Sequence, residues 1–436
     1  MDIDRGGRRA RVSSTTSAGT DRVTRALQER TAANERFFEA QAERTARLCH
    51  RMAERFARGG RLVALGCSPQ ARSDVRHVAV EFVHPVIVGK RALPAIGLAP
   101  EGGAIARQAQ LLARPDDIVI AFGAEDRDAE LVQALADSRQ RGALTVSYAD
   151  GSGAEWEFQP ASEDPSVCQE LAETHYHVLW ELVHVFFEHR GLLQGREAKP
   201  VHDTGASSFL YPFLAEGEHD LEAVVSDVRR SIEMKAWEVG ALRQQTLGEN
   251  REVLERAACA LRARFEAGGK LLALGNGGSA TDAMDVVADF RSPPAGGPEP
   301  GRSWPPRPAI DLTEDAAILT AIANDIGVEE IFQRQVIAYG LRGDALLALS
   351  TSGGSGNVIA ALAEARKRGM DTIAMVGYDG GQVASGGLAD HVVVTRSQHI
   401  PRIQEAQASA YHVLRELVES RPAPTERATI GSPHHD

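Results

Sequence analysis

The chain has 436 residues, 43% of them hydrophobic and 25% charged, with a formal net charge of −12. That length is too great for one ordinary α/β domain and suits two, with the balance of a globular chain. The acidic charge argues against a nucleic-acid partner, which needs basic patches, and no run is long and apolar enough to span a membrane.

The N-terminal arginines Arg5, Arg8, Arg9 and Arg11 precede a Ser/Thr/Gly stretch rather than an apolar one, so no secretory leader is expected. Residues 1–20, and the tail 421–436, are rich in Gly, Ser, Pro and Thr and read as disordered. A long helical region is expected over 21–58. It stops at Gly59-Gly60, and the apolar run Leu62-Val63-Ala64-Leu65 that follows reads as a buried strand closed by Gly66. Next come a helix carrying His77 and Glu81, a strand over Asp117–Gly123, a helix, a strand over Leu144–Tyr148, and a last helix beginning near Gln169-Glu170. The four cysteines, Cys49, Cys67, Cys168 and Cys259, form no close-spaced pair, which suits reduced thiols in the cytoplasm.

The same order then repeats. Residues 193–218, where Gly, Pro, His and Asp accumulate, read as a linker. A second helical region over 219–267 stops at Gly268-Gly269, followed by the strand Leu271–Leu274 and Gly275. Strands are expected at Asp344–Ser350 and Thr372–Val376, and a last helix near Gln404-Glu405. Residues 291–308 form a Pro/Gly-rich insertion present in the second half alone. Alternating strands and helices predict a mostly parallel sheet covered on both faces, so the reading is two tandem three-layer α/β domains at 21–192 and 219–420.

The second half carries two glycine- and hydroxyl-rich turns between a strand and a helix: Gly275-Asn276-Gly277-Gly278-Ser279 and Ser350-Thr351-Ser352-Gly353-Gly354-Ser355. Such turns aim backbone N–H groups at one spot, and the helix N-terminus adds about half a positive charge, which suits a phosphate. They fall at the carboxyl ends of strands, where ligands of open α/β sheets sit. No Gly-Lys-Ser/Thr follows, so neither is a nucleotide-binding P-loop.

These two loops, with Ala323-Asn324-Asp325 and Arg402-Ile403-Gln404-Glu405, resemble phosphoheptose isomerases, and the resemblance covers the whole second half. It implies two sugar-isomerase (SIS) domains, each a five-stranded, flavodoxin- or Rossmann-like sheet. It also implies that Gly277, Gly278, Ser279, Asn324, Asp325, Ser350, Thr351, Ser352 and Ser355 hold a sugar phosphate. The family's metal and catalytic groups are a His and a Glu four apart, then a Gln and a His eight apart, with zinc as the usual metal. In the second half the matching positions hold Asp285, Asp289, Gln404 and His412.

The first half shows the converse. His77 and Glu81 are four apart, and Gln169 and His177 eight apart, so all four family groups are present. Its loops, however, read Cys67-Ser68-Pro69-Gln70-Ala71 and Phe122-Gly123-Ala124-Glu125-Asp126, without the glycine pair and with two carboxylates that repel phosphate. An eight-residue helical step rises about 12 Å, long for two ligands of one ion. Gln169 is therefore the weakest member of the set His77, Glu81, Gln169 and His177.

The expectation is a composite site. Phosphate would be held by the second half and the reactive end of the sugar by the first, with Glu81 as base and His177 as acid in an aldose–ketose isomerisation. The resemblance points to sedoheptulose 7-phosphate as substrate. It also implies a homodimer equivalent to the family's tetramer, with the long N-terminal helix of each half as contact surface. The competing class is a non-catalytic phosphosugar-binding regulator.

Overall fold

The computed structural model describes residues 15–86, 90–123, 128–148, 151–159, 161–188, 192–193, 220–294 and 304–420. The expected linker, apart from Leu193, and the C-terminal tail lie outside these residues, as do Glu125 and Asp126. The first half runs α1 (Thr15–Ala57), β1 (Leu62–Gly66), α2 (Pro69–Val83), β2 (Ala95–Leu98), α3 (Ile105–Leu112), β3 (Ile118–Phe122), α4 (Ala129–Gln140), β4 (Leu144–Ser147), β5 (Trp156–Glu157) and α5 (Pro165–Glu188). The second runs α6 (Leu221–Glu249), α7 (Arg251–Glu266), β6 (Leu271–Leu274), α8 (Gly278–Arg291), β7 (Ala309–Asp311), α9 (Ala316–Asp325), α10 (Gln333–Tyr339), β8 (Ala345–Ser350), α11 (Gly356–Lys367), β9 (Asp371–Val376), α12 (Gly381–Ser385), β10 (His391–Val394) and α13 (Ile400–Glu419). Helix α1 begins at Thr15, inside the segment expected to be disordered.

Each half holds one five-stranded sheet, in the order β2-β1-β3-β4-β5 and β7-β6-β8-β9-β10. Read in chain order within each half the two are identical, and every pairing is parallel. In such an order the switch point lies between β1 and β3, and between β6 and β8, so the loops after those strands flank a crevice. The central strands are buried throughout, as near-continuous apolar runs with helices on both faces must be. Each fully buried Leu, Ile or Val there contributes about 1.5–3 kcal/mol.

The repeat extends to the joints. Gly59 and Gly268 take left-handed φ values of 90° and 85°. The next glycine closes each helix end, Gly60 N–H donating to Arg55 O (2.9 Å) and Gly269 N–H to Arg264 O (2.8 Å). A Cβ on Gly60 or Gly269 would run into the backbone carbonyl of Asp116 or Gly343, so neither position accepts a side chain. Asp117 and Asp344 likewise each accept the N–H that opens the neighbouring strand, from Arg61 at 2.9 Å and from Lys270 at 3.0 Å.

The halves are joined through helices. Helix α1 packs along α6 and α5, α2 packs on α8, and α13 lies against α5, α6 and α7. One apolar cluster runs from Phe37, Phe38 and Met52 of α1 to Val224, Val228 and Ile232 of α6. This corrects the expectation that the long N-terminal helices are free surfaces for a second chain: within this chain they cover one another. Among the described residues no helix is long and apolar enough to cross a membrane.

Candidate functional site

The pairing of α2 with α8, and of α5 with α13, brings four side chains from both halves together. His77 and Glu81 share a face of α2, one turn apart, with Nε2 of His77 3.9 Å from Oε1 of Glu81. Nε2 of His177, on α5, lies 3.3 Å from Nε2 of His77. The fourth member is Gln404 of α13, whose Nε2 is 3.4 Å from His77 Nε2. All four are at least 97% buried.

Gln169 is not in this cluster. Its amide donates to Ser73 Oγ at 3.2 Å, and it lines a different cavity together with Asp289. The physical reason is the 12 Å rise between Gln169 and His177, too far for one centre. The crossing of α5 with α13 resolves it: Gln404, from the other half, stands beside His77, while Gln169 lines a cavity with Asp289.

A buried ion network orients His177. Its Nδ1 lies 2.9 Å from Oε1 of Glu405, leaving Nε2 to face His77. Glu405 is gripped by Arg402, whose Nη2 also donates to Glu181 Oε1 at 2.9 Å, and Glu181 pairs in turn with Lys235 of α6. Burial first, then the nearby His177, hold the His77 pKa well below its ordinary 6.5, so its ring is neutral. Burial raises the Glu81 carboxyl to about 7, with Glu181 and Glu405 adding and His177 opposing. Glu81 Oε2 and Gln404 Oε1 are buried without a hydrogen-bond partner. Two unclaimed oxygens beside two imidazoles, one held by a carboxylate behind it, form a donor set that fits a small divalent cation such as zinc. His77, Glu81 and His177 present ligand atoms within 4.8 Å of one another.

The second-half loops meet this cluster. A Cβ on Gly278 would overlap the Gln404 amide and stand 2.9 Å from His77 Nε2, so the N-terminus of α8 abuts the histidines. Gly277 precedes it with φ 58° and caps nothing with a side chain, and Ser355, at the start of α11, also makes no capping bond. Both helix N-termini therefore keep N–H groups for an anion. Reciprocal amide bonds between Asn276 and Asn357, 2.9 and 3.0 Å, tie the loops together. Ser350 and Ser355 hydroxyls stand 3.5 Å apart. Ser279 and Ser350 are buried, while Ser352 is exposed and Thr351 half-buried. Asn324 and Asp325 lie exposed at the end of α9, bonded to each other at 2.7 Å.

The first half closes its own equivalent. Ser68 Oγ accepts Ala71 N–H at 3.0 Å and Pro69 fills the first helical position, so the N-terminus of α2 caps itself. The symmetry-related cluster there is Asp285, Asp289 and His412. Its histidine mirrors His177: His412 Nδ1 lies 2.9 Å from Glu170 Oε1, and Arg30 Nε grips Glu170 at 2.9 Å. Burial works against a charge on His412, yet the facing carboxylates of Asp285, Glu170 and Asp289 hold its pKa well above 6.5.

Several site residues escaped the sequence reading. Asp282 (Oδ1 3.7 Å from His77 Nδ1) sits three residues before Asp285, as Asp74 does before His77. Glu173 lies midway between Gln169 and His177 and groups with His77 and Asp282. Their helical spacing was the available signal.

The model of the SIS domain matches residues 236–377. The phosphoheptose isomerase of Chlorobium phaeobacteroides is 45% identical over 183 residues, 41% of this chain and 76% of that protein. That of Thermodesulfovibrio yellowstonii is 41% identical over 42% of this chain and 89% of that protein. The chain belongs to the phosphoheptose isomerase family. Phosphoheptose isomerases of this size match less than half of it, which agrees with two domains in tandem. The C-terminal domain of glucosamine-fructose-6-phosphate aminotransferase from Francisella tularensis superposes over 91% of this chain and 95% of its own, with a TM-score of 0.57 at 9% identity. At that identity the likeness establishes the fold alone, two parallel α/β bodies in one chain.

Proposed function

We propose that this member of the phosphoheptose isomerase family converts sedoheptulose 7-phosphate into an aldoheptose 7-phosphate at a single composite site. The coarser reading, a sugar-phosphate isomerase, follows from its family. The observation that carries the finer one is the meeting of His77, Glu81 and His177 of the first half with Gln404 and the Gly278 turn of the second.

The phosphate is held by the free N–H groups and hydroxyls of the two second-half loops, around Ser279, Ser350, Thr351, Ser352 and Ser355. That anchors the other end of the sugar against the histidines. Isomerisation requires a proton to leave C1 and return to C2, while a hydroxyl proton passes from O1 to O2. Glu81, raised by burial to about 7, is the group that holds the carbon proton between the two positions. His177, fixed at Nδ1 by Glu405, serves the oxygens through Nε2. Zinc, held by His77, His177 and Gln404 beside Glu81, would supply Lewis-acid stabilisation of the developing negative oxygen in place of the proton from His177 Nε2, and would leave Glu81 a base only where it does not bind the ion tightly. On the same reading the enzyme works in the cytoplasm as a homodimer, meeting its copy through the side of α6 that α1 leaves uncovered, where Trp237 is 73% exposed.

The test is turnover of sedoheptulose 7-phosphate by wild type, Glu81→Gln and Ser352→Ala. Turnover lost in the first and a raised KM in the second support the composite site. An inert wild type that the phosphosugar still protects against heat makes the chain a binding module instead.

A further inference from the structure

The duplication leaves a second centre that the proposed reaction does not use. Asp285 and Asp289 lie one turn apart on α8, facing His412 of α13. Nε2 of His412 is 3.4 Å from Oδ2 of Asp285 and 3.4 Å from Oδ2 of Asp289. The three residues are at least 96% buried. Two of the atoms that converge here, Asp285 Oδ1 and His412 Nε2, have no hydrogen-bond partner. Asp285 Oδ1 is thus a buried polar atom whose desolvation is uncompensated, at a cost of about 1–3 kcal/mol, while His412 Nε2 faces the two aspartate oxygens by charge alone.

The surroundings are those of a ligand rather than of a discarded residue. Glu170 accepts at Nδ1 of His412 from behind, which fixes the ring and turns Nε2 inward, the arrangement that orients a metal-binding imidazole. Tyr411 Oη donates to Asp285 Oδ2 at 2.8 Å and so holds that carboxylate in place. The centre is also reachable. Asp289 lines a cavity of about 270 Å³ with Ser68, Gln70 and Gln169, and a neighbouring one of about 360 Å³ with His412, Arg22 and Trp304.

We propose that Asp285, Asp289 and His412 form a second divalent-cation site, distinct in donor set from the His77–Glu81–His177–Gln404 centre. Two carboxylates and one imidazole make it the harder of the two, better matched to Mn²⁺ than a centre built on two imidazoles. The glycine-rich turns of the second half are missing beside it, so its cation serves the fold rather than the proposed reaction.

The test counts metal in the full chain. Protein stripped with a chelator is dialysed against Mn²⁺ or Zn²⁺, freed of excess, and assayed by inductively coupled plasma mass spectrometry. Wild type should hold two equivalents. His77→Ala/His177→Ala should retain one, and its melting temperature should rise when Mn²⁺ is added. Asp285→Asn/Asp289→Asn should also hold one. His412→Gln, which leaves both aspartates, serves as a second route to the same loss, with circular dichroism reporting that each variant is folded. A count in folded His412→Gln equal to that of wild type overturns the proposal. So does a His77→Ala/His177→Ala protein that holds no metal, in which case an imidazolium at His412 neutralises the two aspartates unaided.

Discussion

His177 Nδ1 and Glu405 Oε1 lie 2.9 Å apart, and they belong to different halves of the chain. The symmetry-related bond joins His412 to Glu170, also at 2.9 Å. Each domain thus sets the ring of the other domain's histidine. Replacing Glu405 by Gln keeps the shape but removes the charge that holds the ring. An orienting carboxylate behind a metal-binding histidine is worth roughly 10–100-fold in metal affinity or activity, and Glu405→Gln should lose that much in kcat. Steady-state kinetics together with metal content at matched free zinc check it. An unchanged kcat would mean that the Glu405 charge is there only to balance Arg402.

The exchange of glutamines gives a second test. Gln404 lies with His77, whereas Gln169 bonds Ser73 and faces Asp289. Gln404→Leu should therefore reduce turnover by more than the roughly 10–100-fold of an orienting partner. Gln169→Leu should leave turnover as it is. The reverse ranking would place the working centre within the first half alone.

Much of this architecture is legible in the chain because it is local. The Gly59-Gly60 and Gly268-Gly269 helix stops, the apolar runs Leu62–Leu65 and Leu271–Leu274, and the four-residue spacing of His77 and Glu81 are all read from neighbouring residues. What the helical rise excluded, Gln169 and His177 at one ion, it did not replace with the right partner. That Gln404 stands there depends on how α5 crosses α13, a contact between residues more than two hundred positions apart. The covering of α1 by α6 was missed for the same reason: an amphipathic helix shows that it has an apolar face, not what lies against it. The acidic partners Asp74, Glu173 and Asp282 read as ordinary helix-surface residues until two helices bury them together.

The Gly278 turn separates strain from geometry. A Cβ at Gly278 would press on Gln404 and His77, whereas at Gly277 nothing lies within 4 Å. Gly277→Ala meets only its strained backbone, φ 58° with ψ −125°, a region that side chains avoid, at a cost of about 1–3 kcal/mol. Gly278→Ala adds overpacking of about 1–3 kcal/mol and pushes the ligand side chains out of place. Both variants should melt a few degrees early, but Gly278→Ala alone should lose bound metal. Equal metal content in the two would show that the turn does not constrain the cluster.

His175, two residues from His177 and so on the opposite side of α5, offers a pH test. It is fully buried, with Nε2 2.8 Å from Thr45 Oγ1, Nδ1 2.9 Å from Tyr148 Oη, and Phe158 4.4 Å away between ring centroids. Burial, aided by Arg44, lowers its pKa from 6.5 to about 3. The folded state therefore keeps the ring neutral while the unfolded chain takes up a proton below pH 6.5. The stability that His175 contributes is present in full above pH 6.5 and is lost as pH falls towards 3. Between pH 6.5 and 5 the loss is about 2 kcal/mol, at 1.36 kcal/mol per pH unit. Denaturant midpoints of wild type and His175→Gln over that interval are the measurement. Wild type should fall with a slope of about one proton more than the variant, and parallel curves would mean that the imidazole is protonated in its cage of aromatic rings.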